Sequence, residues 1–130
     1  PISDAVWVVH LAALTGLPVL VVARAGLGTI NHTLLTLHAA RSAGLTVAGV
    51  VINRYEIDPA FTPERLADID VRGDFDMAMF TNPRQIADRG DVDVLALVPN
   101  DEETSVERGR LGEAVQHAIE QVDWPGVLGL

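Results

Sequence analysis

The stretch GLPVLVVARAGLGTINHTLLTLHAARSAGLTVAGVVIN, Gly16 to Asn53, decides the fold. Its apolar run Leu17–Ala23 lacks the alternation of a half-exposed strand, so it reads as a strand buried on both faces, as in a parallel sheet. Two glycines follow, Gly26 and Gly28, and a helical pattern begins at once. That pattern runs from Ile30 to Ala43 and stops at Gly44, a C-cap glycine. A second continuous apolar run, Thr46–Ile52, completes a strand–helix–strand unit.

Working outward, the same signs recur. Ser3 to Leu14 reads as a helix ended by Gly16, and Val94–Val98 as a third buried strand. Near the C-terminus, Thr104-Ser-Val-Glu107 has the form of a capping box, followed by Leu111, Val115, Ile119 and Val122 at helical spacing. Helix alternating with buried strand predicts an α/β layer fold with right-handed crossovers. Residues 54–80 break every period, with Pro59, Pro63 and Gly73 among several acids, and read as a long irregular connection. Asn82-Pro83 has the form of a helix start before Arg84 to Asp88. The chain as a whole, 1–130, reads as one domain.

The helix from Ile30 carries two stripes. Ile30, Leu34 and Leu37 suit packing on the sheet. Leu35, Ala39 and Ala43 recur on another face, which suits either a neighbouring helix or a contact across a subunit interface.

Composition removes several functions. The net charge is −9, which argues against nucleic acid and anionic membranes as partners. No apolar run approaches the length of a membrane span, and no basic-then-apolar leader opens the chain, so the expectation is a cytoplasmic protein. There is no cysteine, hence no disulfide and no thiolate metal site. All nine basic residues are arginine. Without lysine there is no P-loop lysine to reach β and γ phosphates, and no lysine base or Schiff base. The chain opens at Pro1, which either follows a removed methionine or begins a piece of something longer.

Three places remain as candidate sites. At the Gly26–Asn31 corner, glycines permit close backbone approach, Thr29 or Asn31 is placed to cap the helix, and the unpaired first-turn N–H groups suit a carboxylate or phosphate. The alternative there is a tight turn that serves packing alone. Asn53 follows a buried strand directly, where open α/β sheets place ligands, and its amide both donates and accepts in one plane. It reads equally as a turn-initiating Asn. Pro99-Asn100-Asp101 ends the third strand as a turn or a ligand loop, and Asp101-Glu102-Glu103 reads as a solvated acidic first turn. The four histidines, His10, His32, His38 and His117, share no helix face at metal-ligand spacing.

Gly16 to Asn53 closely resembles the second half of dethiobiotin synthetase, a biotin-pathway enzyme with the P-loop fold. The run Gly-Thr-Ile-Asn-His-Thr-Leu-Leu-Thr, Gly28 to Thr36, is the most specific part, and its spacing to Asn53 agrees. A weaker match continues through TNPRQIADRGDVDVLALVP, Thr81 to Pro99. The resemblance implies part of a P-loop NTPase-like parallel sheet with flanking helices, lacking the N-terminal P-loop half. It implies an ATP- and Mg2+-dependent carboxylase and cyclo-ligase that acts on a diamino carboxylic acid, 7,8-diaminononanoate, as a homodimer with substrate across the interface. Carried over, substrate-carboxylate contacts fall on Gly28, Thr29, Ile30 and Asn31. Nucleotide contacts fall on Asn53, Arg54, Pro99, Asn100 and Asp101, with a further acid at Glu103 or Glu107.

The departures matter as much. The family's P-loop, catalytic lysines and magnesium carboxylates would align before Pro1. Phosphoryl transfer rests on that cationic clamp, so the chain alone is expected to be inactive. It would be either an excised C-terminal half or one complemented by a separate P-loop chain. The competing readings are a non-catalytic ligand-binding or dimerising module derived from this fold, and a related amidoligase or phosphate-acetyltransferase N-terminal domain.

Overall fold

The structure is a computed structural model that describes residues 6–56 and 77–129. Three strands form one parallel sheet in the order β1-β2-β3: β1 is Val19–Arg24, β2 is Val47–Tyr55 and β3 is Val94–Pro99. Helix α1 (Val8–Thr15) precedes β1, α2 (Thr29–Ser42) joins β1 to β2, and α3 (Met77–Gly90) precedes β3. Two short helices follow, α4 (Glu113–Glu120) and α5 (Trp124–Leu128). This is the α/β architecture expected, with the three strands on the three apolar runs.

The main core lies between the sheet and α2 with α3. Val21, Ala23, Val50 and Ile52 from the strands meet Leu37, Met79 and Ile86 from the helices, with Leu37, Val50, Ile52 and Ile86 at most 1% exposed. The Ile30–Leu34–Leu37 stripe packs on this core as its spacing predicts. Leu35, Ala39 and Ala43 face outward instead, so no neighbouring helix covers them among the described residues. A second, smaller core on the opposite sheet face joins Val51, Ala96 and Val98 to Val115 of α4, flanked by Ile119 and Trp124.

Five expectations need correction. First, the strands are not all buried on both faces: Val22 of β1 is 61% exposed, because α4 and α5 pack against β3 and β2 and leave the face of β1 bare. Second, α3 starts before Asn82-Pro83. Met79 and Ile86, seven residues apart, bury on one face and hold the helix across Pro83, while Asn82 turns inward and caps nothing. The 54–80 connection is correspondingly shorter: β2 runs through Tyr55 and α3 opens at Met77, the residues between 57 and 76 lying outside the described ones.

Third, Thr104–Glu107 is not a capping box. The Thr104 hydroxyl accepts from Gly112 N–H at 2.9 Å, and paired backbone bonds between Ser105 and Arg110 close a small ribbon, so the helix waits until Glu113 and leaves Leu111 outside it. Fourth, neither Thr29 nor Asn31 caps α2. Its N-cap is Gly28 with φ +84, a left-handed geometry that glycine adopts without strain. Fifth, Asp101–Glu103 is not a helical first turn. The Asp101 carboxylate accepts from Glu103 N–H at 2.8 Å, and Glu103 pairs with Arg110 at 2.9 Å. The N-terminal helix expected from Ser3 is described from Val8, with Gly16 as its left-handed C-cap; residues 1–5 lie outside the described ones.

Candidate functional site

Parallel strands put their C-terminal ends along one edge of the sheet, and here those ends are tied together. Ala25 N–H donates to Asn53 O at 2.8 Å, and Asn100 N–H to Tyr55 O at 3.2 Å. The chain leaves each strand from this ledge, so loop residues after β1, β2 and β3 become neighbours despite their distance in sequence.

Beside the ledge, on the face that carries α4, lies a cavity of about 510 Å³. Asn53, Arg54, Pro99, Asn100 and Asp101 all line it, together with Thr104. Its floor is apolar: Leu20, Val51, Ala96 and Val98 from the strands, with Ile119 and Trp124 as a wall. The local chemistry at Asn53 is specific. Its Oδ1 accepts from Arg54 N–H at 2.8 Å, and Arg54 holds φ at +58. Such a left-handed non-glycine residue is uncommon, and held strain of this kind clusters at ligand sites. With the oxygen turned to the backbone, the amide NH2 has no partner among the described residues and remains as a donor.

The loop after β3 is built rather than loose. Asp101 accepts from Glu103, Thr104 N–H returns to Asp101 O at 3.2 Å, and the Asp101 carboxylate occupies the space where a side chain on Gly112 would begin. Trp124 is fixed by its indole N–H, which donates to Ile119 O at 2.9 Å. Sequence reasoning missed Trp124. The signal available was Asp123-Trp-Pro, a cap followed by proline at a helix start, and Asp123 does accept from Gly126 N–H there.

The Gly26–Asn31 corner stands apart from this cavity; Gly28, Thr29, Ile30 and Asn31 do not line it. At the corner, Thr29 N–H donates to Gly26 O at 3.3 Å, while the N–H groups of Ile30 and Asn31 find no backbone acceptor among the described residues. Asn82, 4% exposed, donates from Nδ2 to the same Gly26 carbonyl at 3.3 Å, so α3 steadies the corner from below. That contact is invisible in sequence, because 56 residues separate the partners. The Thr29 hydroxyl is buried without a partner and faces a second cleft of about 290 Å³, walled by Val21 to Arg24 of β1 and by His32, Thr33 and Thr36 of α2.

Among the described residues, no group of three His, Asp or Glu side chains converges to hold a metal, so the described residues form no Mg2+ cluster. No described helix is long and apolar enough to cross a membrane. Tyr55, below the ledge in the main core, has its phenol pKa raised by burial.

A parallel α/β sheet with its candidate pocket at the strand ends is the architecture of a P-loop NTPase-like domain, here without a phosphate loop. Residues 1–108 match the model of the AAA domain family, and the chain belongs to that family. It is similar to ATP-dependent dethiobiotin synthetases. Identity is 61% over 61 residues with that of Anaeromyxobacter dehalogenans strain 2CP-1, covering 45% of this chain and 27% of the relative. It is 43% over 91 residues with that of Anaeromyxobacter sp. strain Fw109-5, covering 68% of this chain and 41% of the relative. With the Bacillus subtilis strain 168 enzyme it is 44% over 59 residues, 45% and 26% of the two chains. The chain thus spans well under half the length of these curated relatives.

Proposed function

We propose that this chain is the adenine- and carboxylate-binding part of an ATP-dependent dethiobiotin synthetase, a ligase of biotin biosynthesis in the cytoplasm. One observation carries the reading: Asn53, Arg54, Pro99, Asn100 and Asp101, drawn from segments far apart in sequence, line a single cavity at the strand ends. The adenine ring enters that cavity along the apolar floor, and the Asn53 NH2, unpartnered among the described residues, donates to a ring nitrogen acceptor. Trp124 and Ile119 wall the slot against water. The Glu103–Arg110 pair holds the 101–110 ribbon beside the base.

At the corner, the open N–H groups of Ile30 and Asn31 and the positive end of α2 favour an acid group, the carboxylate of the 7,8-diaminononanoate substrate. Gly28 keeps the approach clear of side-chain atoms, and Asn31 supplies a polar side chain beside it, while the buried Thr29 hydroxyl faces the second cleft. Because the corner and the cavity are separate, the substrate held at one corner belongs to the active site of a partner protomer in a homodimer.

The chain supplies no lysine for the ATP phosphates, and its described residues form no magnesium cluster. Carboxylation by carbon dioxide, phosphorylation and ring closure to dethiobiotin therefore depend on a P-loop portion. That portion would have to supply the residues that hold Mg2+, whose charge would offset that of the phosphates. Residues 1–130 alone bind but do not turn over substrate.

Calorimetric titration tests this. Adenosine and ATP should bind with affinities within about threefold of each other, since the chain has no P-loop lysine to hold the phosphates. Asn53→Ala should weaken both by about tenfold, the worth of one hydrogen bond of about 1.4 kcal/mol. Binding that ignores the substitution, or a strong preference for inorganic triphosphate over adenosine, would refute the assignment.

A further inference from the structure

The ribbon between β3 and α4 is tied at both tip and root. Ser105 and Arg110 exchange backbone bonds of 2.8 and 2.9 Å, and Gly109 N–H donates to Val106 O at 3.1 Å, which closes residues 105–110 into a tight hairpin. Gly109 takes φ +59 in that turn, the left-handed region that glycine enters without strain. At the root, Thr104 Oγ1 accepts from Gly112 N–H at 2.9 Å, and Arg110 pairs with Glu103 at 2.9 Å. The Asp101 carboxylate fills the space that a Cβ on Gly112 would take. These bonds set where the tip stands.

What the ribbon presents there is apolar. Val106 is 95% exposed and Leu111 is 56% exposed, yet both line the strand-end cavity. One exposed valine on a surface is ordinary. Two apolar side chains on a bonded ribbon, at the rim of a cavity with an apolar floor, are a different matter. The cavity has apolar atoms on its strand side, from Leu20, Val51, Ala96 and Val98, and on its ribbon side. A flat ring placed between them removes both from water at once. Val106 touches too little of the chain to support the fold, so its apolar atoms gain a contact only when the cavity is filled.

We propose that Val106 and Leu111 are specificity residues of this cavity: they cover the second face of a bound nucleobase and make the site prefer a two-ring purine to a one-ring pyrimidine. This rests on the functional reading above, which places adenine in the cavity, and adds how the ring is gripped. The Asn53 amide meets an acceptor on the ring edge, and both classes of base carry ring nitrogen acceptors, so that contact does not separate them. Ring area does. A purine offers more apolar face to a two-sided grip, and burial rewards it in proportion.

The test is calorimetric titration of the 130-residue chain with adenosine and with cytidine, joined to methyl NMR. The wild type should bind adenosine about tenfold more tightly than cytidine. Val106→Ser should weaken adenosine about fivefold and cytidine about twofold or less, with Tm unchanged. Leu14→Ser, at an 82% exposed residue of α1 outside the cavity, should change neither affinity. The Val106 methyl resonances should move upfield as adenosine saturates the site, the ring-current mark of a base face, and stay in place with ribose 5-phosphate. Unmoved methyls, equal losses for the two nucleosides, or full adenosine affinity in Val106→Ser would overturn the proposal. Should that variant misfold, the wild-type methyl shifts decide. If Asn53→Ala weakens adenosine and Val106→Ser does not, the cavity keeps its ligand and the grip alone is rejected. If the wild type binds no adenosine, both readings fall together.

Discussion

Asn53 illustrates what a single residue contributes. Its position after an apolar run marks a strand end, and that much is legible in sequence. The orientation of its amide is not, because it depends on Arg54 adopting φ +58 and on an N–H to Oδ1 bond within the same turn. Trp124 and Asn82 were hidden for a related reason: their roles depend on partners brought close only by the fold. Tyr55 offers a separate check, since it is the one tyrosine in the chain. Burial raises its folded-state pKa above the ordinary 10.0, so folding holds the neutral phenol. The associated stability is fully present below pH 10 and is lost as pH rises through the raised value. Absorbance titration should show tyrosinate appearing later in the native chain than after denaturation in urea. Coincident native and denatured curves would contradict the burial of this side chain.

At the scale of elements, apolar runs located β1, β2 and β3 because a strand covered in a parallel sheet needs continuous hydrophobicity, and glycine or proline marks where it ends. Helix starts were harder. Asn82-Pro83 has the chemistry of an N-terminus, yet the burial of Met79 and Ile86 on one face outweighs the hydrogen bond that Pro83 forfeits. Thr104 has the chemistry of a cap, yet it serves Gly112 in a ribbon. Local propensity loses where tertiary contacts compete. The contact between α2 and α3 makes the point quantitative at Gly90. A methyl group there would stand 2.8 Å from Leu37 Cδ1 and 3.2 Å from Leu34 Cδ2. Alanine would gain about 1 kcal/mol of helix propensity, but overpacking a core costs about 1–3 kcal/mol. Gly90→Ala should therefore lower stability by about 1 kcal/mol in urea denaturation; a stabilised variant would mean that the two helices have room to part.

For the whole molecule, the fold explains how the candidate site is assembled. A three-stranded parallel sheet gathers three loops on one ledge, and one helix pair covers each face unevenly. The strand-end cavity is therefore formed within the chain, whereas a sequence without lysine holds no P-loop lysine. The resemblance of Gly16–Asn53 conveyed the class of protein. The separation of the Gly26–Asn31 corner from the cavity emerged only in three dimensions.

The most direct measurement is nitrogen–proton NMR of the 130-residue chain during titration with adenosine. Saturable shifts are expected at Arg54, Asn100, Asp101, the Asn53 side-chain amide and the Trp124 indole, with the Ile30 and Asn31 amides left in place. Shifts confined to the Ile30–Asn31 corner, or none at millimolar adenosine, would contradict it.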